Sequence, residues 1–280
     1  FAYSPRAQYQ DHWPSLEFDI GAINARMARF LPAGFYYKTV NWPRGFWKHI
    51  YEPFIRRSAG LGKAPKERDE DRYEHLYAFC DVLVIGGGIA GLVAAKAAGD
   101  SGQRVILIEQ TGSWGGRAAV DGGQIDGIEV MQWIKETLQE LEKNKNITIR
   151  PNTMGAGIYD HGYTLAYEQT HDLNAPRHRL WRIRAAKIIT ATGAIERPLS
   201  FANNDLPGVM LASAVRDYLA DCGVSAGDRT VIVTNNDDAY RTAVALKEGG
   251  LEVPAILDAR PDPLGQLVEK ARDLGIRVEA

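Results

Sequence analysis

Gly86, Gly88 and Gly91 stand at the spacing G-x-G-x-x-G, and Glu109 follows Gly86 by 23 residues. Each has a task at a dinucleotide. Gly86 allows a tight turn, and Gly88, without a Cβ, lets the backbone approach a pyrophosphate. Gly91 lets a helix sit close to a strand. Ile89 and Ala90 begin that helix, whose unpaired N–H groups and positive dipole end favour phosphate. Glu109 is placed to accept two hydrogen bonds from an adenosine ribose and to repel a 2′-phosphate, so NADP is disfavoured. Downstream, Gly115-Gly116-Arg117 permits a backbone turn beside the cofactor, with Arg117 in reach of a phosphate. Thr192-Gly193 ends an apolar run, Ile188 to Ala191, as a small-residue turn suited to the same ligand.

The spacing carries weight only in context, which the flanking elements supply. Asp81 to Ile85 is a short apolar run typical of a buried parallel strand. An Ala-rich helix follows from Ile89 to Asp100, then a strand from Arg104 to Glu109. Residues 128–142 predict an amphipathic helix with Met131, Ile134, Leu138 and Leu141 on one face. Strand-like text at 147–150, 162–169, 180–184 and 187–191, with a turn at Asp160-His161-Gly162, predicts an antiparallel meander inserted in an α/β domain. A further helix carries Leu211, Val215, Tyr218 and Cys222 on one face and ends at Gly223.

The strand–helix–strand pattern returns 149 residues later. Val231 to Val233, Ala239 to Leu246 and Val253 to Leu257 repeat it, and Glu109 falls on Asp258. The three glycines become Asn235, Asp237 and Tyr240. Tyr240 fills the place of close helix–strand approach, and Asp237 with Asp238 sets negative charge where phosphate would lie. The second unit therefore keeps a fold and is expected to bind no dinucleotide.

Of 280 residues, 33 are Lys or Arg and 35 Asp or Glu, a balance that argues against nucleic-acid binding. Cys80 and Cys222 are the two cysteines, too far apart in sequence for a redox pair or thiolate metal site, and they point to a reducing cytoplasm. No apolar run is long enough to span a membrane. The six histidines are scattered, none beside the Gly-rich loop, so no catalytic side chain and no metal ligand is assigned. Residues 1–55 hold 14 of the 26 aromatics, Trp13, Trp42 and Trp47 among them, broken by Pro14, Pro32, Pro43 and Pro53. They read as an arm laid over another surface, and 61–75 as a solvated connector. The chain lacks an initiator Met and stops at Ala280 within strand-like text, as expected of a piece of a longer protein. The expected divisions are 1–76 for arm and connector, 77–202 for the first dinucleotide-binding domain with its meander, and 203–280 for a partial second Rossmann-like unit.

Two dinucleotide-type units joined through a meander resemble the glutathione-reductase-like flavoproteins, without the paired cysteines of the disulfide reductases. The segments 11–24, 30–47, 51–65, 77–92 and 233–243 resemble the alpha subunit of heterotetrameric sarcosine oxidase. That resemblance implies a scaffold holding a non-catalytic NAD, surrounded by Gly86, Gly88, Ile89, Gly91, Glu109, Gln110 and Arg117, with Met154 near the adenine. It implies beta, gamma and delta subunits as partners, FAD in the beta subunit and FMN at the alpha–beta boundary. The complex would convert sarcosine to glycine with hydrogen peroxide formed, and tetrahydrofolate would bind a region outside this chain. The alternatives are a stand-alone FAD-dependent pyridine-nucleotide oxidoreductase and a non-catalytic interaction scaffold.

Overall fold

The computed structural model describes Phe18 and residues 42–58, 68–69, 71–172, 174–204, 206 and 208–280. Most of the aromatic arm, with Trp13, Pro14 and Pro32, lies outside the described residues. Two compact units divide at Glu70/Asp71. In the first, a π-helical turn at Trp47–Tyr51 runs into helix α1 (Glu52–Ser58).

The second unit begins with strand β1 (Tyr73–Ile85), which starts inside the segment expected to be connector. Its first half alternates, with Leu76, Ala78 and Cys80 turned inward. Its last four residues, Val82 to Ile85, are all buried, as in a strand covered on both faces. Helix α2 (Ile89–Asp100) and strand β2 (Val105–Ile108) complete the first crossover. α2 buries Gly91, Leu92, Ala95 and Gly99. A Cβ on Gly99 would lie 2.4 Å from Ile147 Cδ1, so small residues set how closely the helix sits on the sheet.

A short helix, α3 (Ala118–Asp121), and a hairpin of β3 (Gln124–Ile125) and β4 (Ile128–Glu129) lead into helix α4 (Val130–Lys143). The Glu129 carboxylate caps α4 by accepting from Gln132 N–H. The buried stripe of α4 is Val130, Ile134, Thr137 and Leu141. Met131, expected inside, is exposed; Ile134 and Leu141 are buried as expected, while Val130 takes the place of Met131 and Thr137 is buried beside a partly buried Leu138.

Strand β5 (Ile147–Arg150) and the meander β6 (Thr153–Tyr159), β7 (Tyr163–Gln169) and β8 (His178–Thr190) follow. The two expected strands at 180–184 and 187–191 are the single strand β8. One six-stranded sheet results, in the order β5-β2-β1-β8-β7-β6, so the meander continues the parallel sheet. β8 runs parallel to β1 throughout, while its first half also pairs antiparallel with β7. One face buries Val84 and Leu107 against Leu92 and Ile134; the other buries Ile85 and Ile108 in a cluster with Ala166, Trp181 and Ile183.

The chain then forms helix α5 (Ala212–Cys222), β9 (Ile232–Thr234), α6 (Asp238–Glu248), β10 (Ala255–Asp258), α7 (Gln266–Asp273) and β11 (Arg277–Glu279). The three strands make a parallel sheet in the order β11-β10-β9. This is the expected second Rossmann-like unit. Gly223 closes α5 in the left-handed conformation, at φ 64° and ψ 26°. The face of α5 differs from expectation, since it buries Val215 and Arg216 and leaves Tyr218 and Cys222 exposed. α5 packs on α6 and α3, where Arg216 finds carboxylates.

Candidate functional site

The Gly-rich turn joins β1 to α2, and its glycines do separate work. Gly86 has φ 106°, and a Cβ there would lie 2.3 Å from the Ala191 carbonyl oxygen. A Cβ on Gly91 would lie 1.9 Å from Gly86 O, so only glycine allows this crossing of helix and turn. Gly88 differs: its φ of −68° suits any residue, and a Cβ would meet no protein atom within 4 Å. The bare backbone at Gly88 therefore faces space wide enough for a ligand. Gly87 is closed by Trp114, whose ring atoms would lie 2.5 Å from a Cβ.

Glu109 is 9% exposed at the end of β2. Its Oε2 accepts the Gly87 N–H at 2.6 Å, and Oε1 accepts the N–H and hydroxyl of Thr111 at 2.9 and 3.0 Å. A carboxylate offers about four acceptor positions, which leaves one on Oε2. Glu109 thus holds the glycine turn as well as standing where a ribose acid is expected. Gly115 N–H donates to Gly87 O at 2.8 Å, and Gly116 (φ 58°) would place a Cβ 3.2 Å from Gly88 Cα. The second glycine pair is folded directly onto the first.

These loops open on one cleft of about 2090 Å³ between the two Rossmann-like units. Gly86, Gly88, Ile89 and Ala90 line it from the fingerprint, and Glu109 and Gln110 from the end of β2. Gly116, Arg117 and Met154 form further parts of its wall, as do Thr192 and Gly193, the latter at φ 74°. Gly91 lies buried beneath the turn.

Arg117 is not a free phosphate ligand. Its guanidinium donates to both oxygens of Asp217, at 3.1 and 2.8 Å, and reaches Asp121 at 3.4 Å. Asp121 is shared with Arg216, whose side chain is 3% exposed and lies 3.0 Å from Asp121 and from Asp238. Arg216 also donates to Thr242 Oγ1. An ion-pair network therefore runs from the first glycine site to the second loop. Sequence reading missed Thr111, Trp114, Asp217 and Arg216; the adjacent opposite charges at Arg216-Asp217, on a helix read as amphipathic, were the available signal.

In the second unit, Tyr240 is fully buried and donates its hydroxyl to Asp258 Oδ2 at 2.7 Å. Arg260 adds its own N–H and two guanidinium contacts to the same carboxylate. The Arg260 guanidinium holds Asp258 down at about 2, and burial pushes Tyr240 up to about 12. The acid that matches Glu109 is thus consumed internally. The negative charge expected at Asp237 and Asp238 is paired in the structure: Arg260 lies 2.8 Å from Asp237 and Arg216 3.0 Å from Asp238. Tyr240, at the position that matches Gly91, is buried beneath the loop.

Residues 81–191 match the family described as FAD dependent oxidoreductase. The chain is 46% identical over 261 residues to the sarcosine oxidase subunit alpha of Rhizobium meliloti (strain 1021), covering 91% of this chain and 26% of that protein. This chain is a homologue of sarcosine oxidase alpha subunits. Identity to the same subunit of Corynebacterium sp. (strain P-1) is 41% over 227 residues, 78% of this chain and 23% of that one. The chain thus spans about a quarter of the length of these curated relatives. Among solved structures, L-proline dehydrogenase from P. horikoshii superposes with a TM-score of 0.52 at 26% identity, covering 73% of this chain and 40% of that one. The fold is of the Rossmann-type flavoprotein kind. Among the described residues, no helix is long and apolar enough to cross a membrane, and no three His, Cys, Asp or Glu side chains gather as a metal site.

Proposed function

We propose that this chain is the NAD-holding segment of the alpha subunit of a multi-subunit sarcosine oxidase. The observation that carries the reading is the intact glycine turn, with bare backbone at Gly88 facing the cleft, in a homologue of sarcosine oxidase alpha subunits. The residues present fit a dinucleotide. Gly86 and Gly91 shape the turn, Gly88 and the N-terminal N–H groups of α2 at Ile89 and Ala90 receive the pyrophosphate, and Glu109 receives the ribose. Gln110, Gly116, Met154, Thr192 and Gly193 complete the walls. Arg117 acts at one remove, setting the Gly115-Gly116 turn through its pair with Asp217. NAD here is a bound ligand, and no residue of this chain is assigned to acid–base or nucleophilic work on the amine.

In this reading the whole complex oxidises the N-methyl group of sarcosine, yielding glycine, with the electrons passed to oxygen as hydrogen peroxide. FAD and FMN serve that chemistry outside this chain's glycine turn. The beta, gamma and delta subunits, and a tetrahydrofolate-binding region elsewhere in the alpha subunit, complete the cytoplasmic assembly. A second reading places FAD in the turn itself, favoured by the match of residues 81–191 to FAD dependent oxidoreductases. Denaturing the full-length complex and chromatographing the released nucleotides separates the two. One NAD per alpha chain, lost in a Gly88→Ala complex while flavin content is unchanged, supports the first. Loss of flavin from the same variant supports the second.

A further inference from the structure

In its extended half the six-stranded sheet turns a row of side chains away from the core. Along β1, Tyr73, His75, Tyr77 and Phe79 turn outward, while Leu76, Ala78 and Cys80 enter the core. The register sets these residues against His178, Leu180, Arg182 and Arg184 of β8, and those in turn against Gln169, Tyr167, Leu165 and Tyr163 of β7. The strands therefore present one continuous outward face of aromatic rings and cations. Tyr77 is 65% exposed, Phe79 68% and Tyr159, at the adjoining end of β6, 54%.

The rings and cations are ordered against one another. Tyr167 stacks on His178 with centroids 4.8 Å apart, and Tyr73 stacks on the same ring at 5.8 Å. The Arg182 guanidinium lies 5.3 Å from the Tyr77 ring centroid, and that of Arg184 5.5 Å from Tyr163. The four outward positions named on each of β1, β7 and β8 include no Asp or Glu, and the carboxylates of these strands are paired: Glu74 and Glu168, of the opposite parity, with Arg179, and Asp81, next in line after Phe79, with Arg104. Exposed Tyr, Phe and Arg in one patch is the composition of interface centres, and such surface is seldom left bare. Arg182 donates to the Tyr77 hydroxyl and lies 3.3 Å from His75 Nδ1, and Arg184 donates to the His161 carbonyl at 3.1 Å; with five N–H donors each, both guanidinium groups keep others for a carboxylate.

We propose that this sheet face is a docking surface for another subunit of the assembly, one that presents Asp and Glu side chains between apolar anchors. The inference rests on the multi-subunit reading above and adds the face and the chemistry of the contact. The charge pattern selects an acidic protein surface, with Tyr77 and Phe79 as the apolar centre and Arg182 and Arg184 as the pairing groups.

The test uses the full-length alpha subunit coexpressed with its partner subunits. A photo-crosslinking benzoylphenylalanine replaces Tyr77, and the complex is irradiated. A cross-link to an acidic stretch of a different subunit is the expected result. In parallel, R182E/R184E should weaken association at least about tenfold, more at low salt than at high, with bound dinucleotide unchanged. Cross-links only within the alpha subunit, to nucleic acid, or none at all in an intact complex overturn the inference alone, as does undiminished association of R182E/R184E. A full-length alpha subunit that purifies with no partner overturns the multi-subunit reading along with it.

Discussion

Gly91 and Gly88 sit three residues apart in one turn, and alanine should affect them in opposite ways. At Gly91 a Cβ would lie 1.9 Å from Gly86 O, about 1.5 Å inside ordinary contact. The oxygen cannot swing away, because it is backbone. Gly86 is held from behind by its N–H bond to Ile108 O at 2.9 Å and by the Ala191 carbonyl. Relief must come from moving α2 off the sheet, against Leu92 and Ala95 in the core. Overpacking of this kind costs about 1–3 kcal/mol. At about 2–4 °C per kcal/mol for a unit of this size, Gly91→Ala should lower the melting temperature by about 2–12 °C. Gly88→Ala meets nothing within 4 Å at an allowed φ, so its stability should stay within about 0.5 kcal/mol. Its methyl group would occupy the cleft, and dinucleotide affinity should fall at least tenfold, about 1.4 kcal/mol. Scanning calorimetry gives the first quantity, and titration of stripped full-length protein with NAD gives the second. An unmoved melting temperature for Gly91→Ala would refute the close crossing. Unchanged affinity for Gly88→Ala would show that this turn is not the phosphate site.

Glu109→Ala should weaken NAD binding by about 1.5–3 kcal/mol, and Glu109→Arg should shift preference toward NADP; equal affinity of Glu109→Ala and the parent for NAD removes Glu109 from the site. Thr111→Val, which removes one hydroxyl from Glu109, should reproduce a fraction of the Glu109→Ala loss in the same titration. Arg260 holds the folded-state pKa of Asp258 below its ordinary 3.8, at about 2, so its contribution to stability is present above about pH 4 and is lost as pH falls toward 2. Acid unfolding of Asp258→Asn should lack that component, and an unaltered acid profile counts against it. Arg216→Met should cost about 1–3 kcal/mol by chemical denaturation, less than for a wholly buried pair, since Asp238 is half-exposed. Crystals of the full-length protein soaked in NAD should show density at Gly86–Gly91 and none at Asn235–Tyr240; ordered pyrophosphate at the second loop would defeat the expectation that it binds no dinucleotide.

The strand–turn–helix at 81–100 was legible in the sequence because its causes are local. An apolar run, glycines at fixed offsets and an Ala-rich helix need no distant partner to be recognised, and the shifted repeat at 231–258 inherits that clarity. The Gly223 cap was legible for the same reason. Helix faces were less so: Met131 and Tyr218 are apolar and correctly spaced, yet exposed, because the neighbouring elements decide which side of a helix is covered. The extension of β1 back to Tyr73 was written in the alternation of Leu76, Ala78 and Cys80 but hidden by the charged residues just before it. Electrostatic roles depended on the fold altogether. Arg117 is committed to Asp217, 100 residues away, and Asp237 is neutralised by Arg260. Glu109 spends most of its acceptor capacity on Gly87 and Thr111. A charge in a sequence announces what it could bind, but its partner is whichever opposite charge the chain returns to within a few ångströms, and only the packed tertiary structure fixes that.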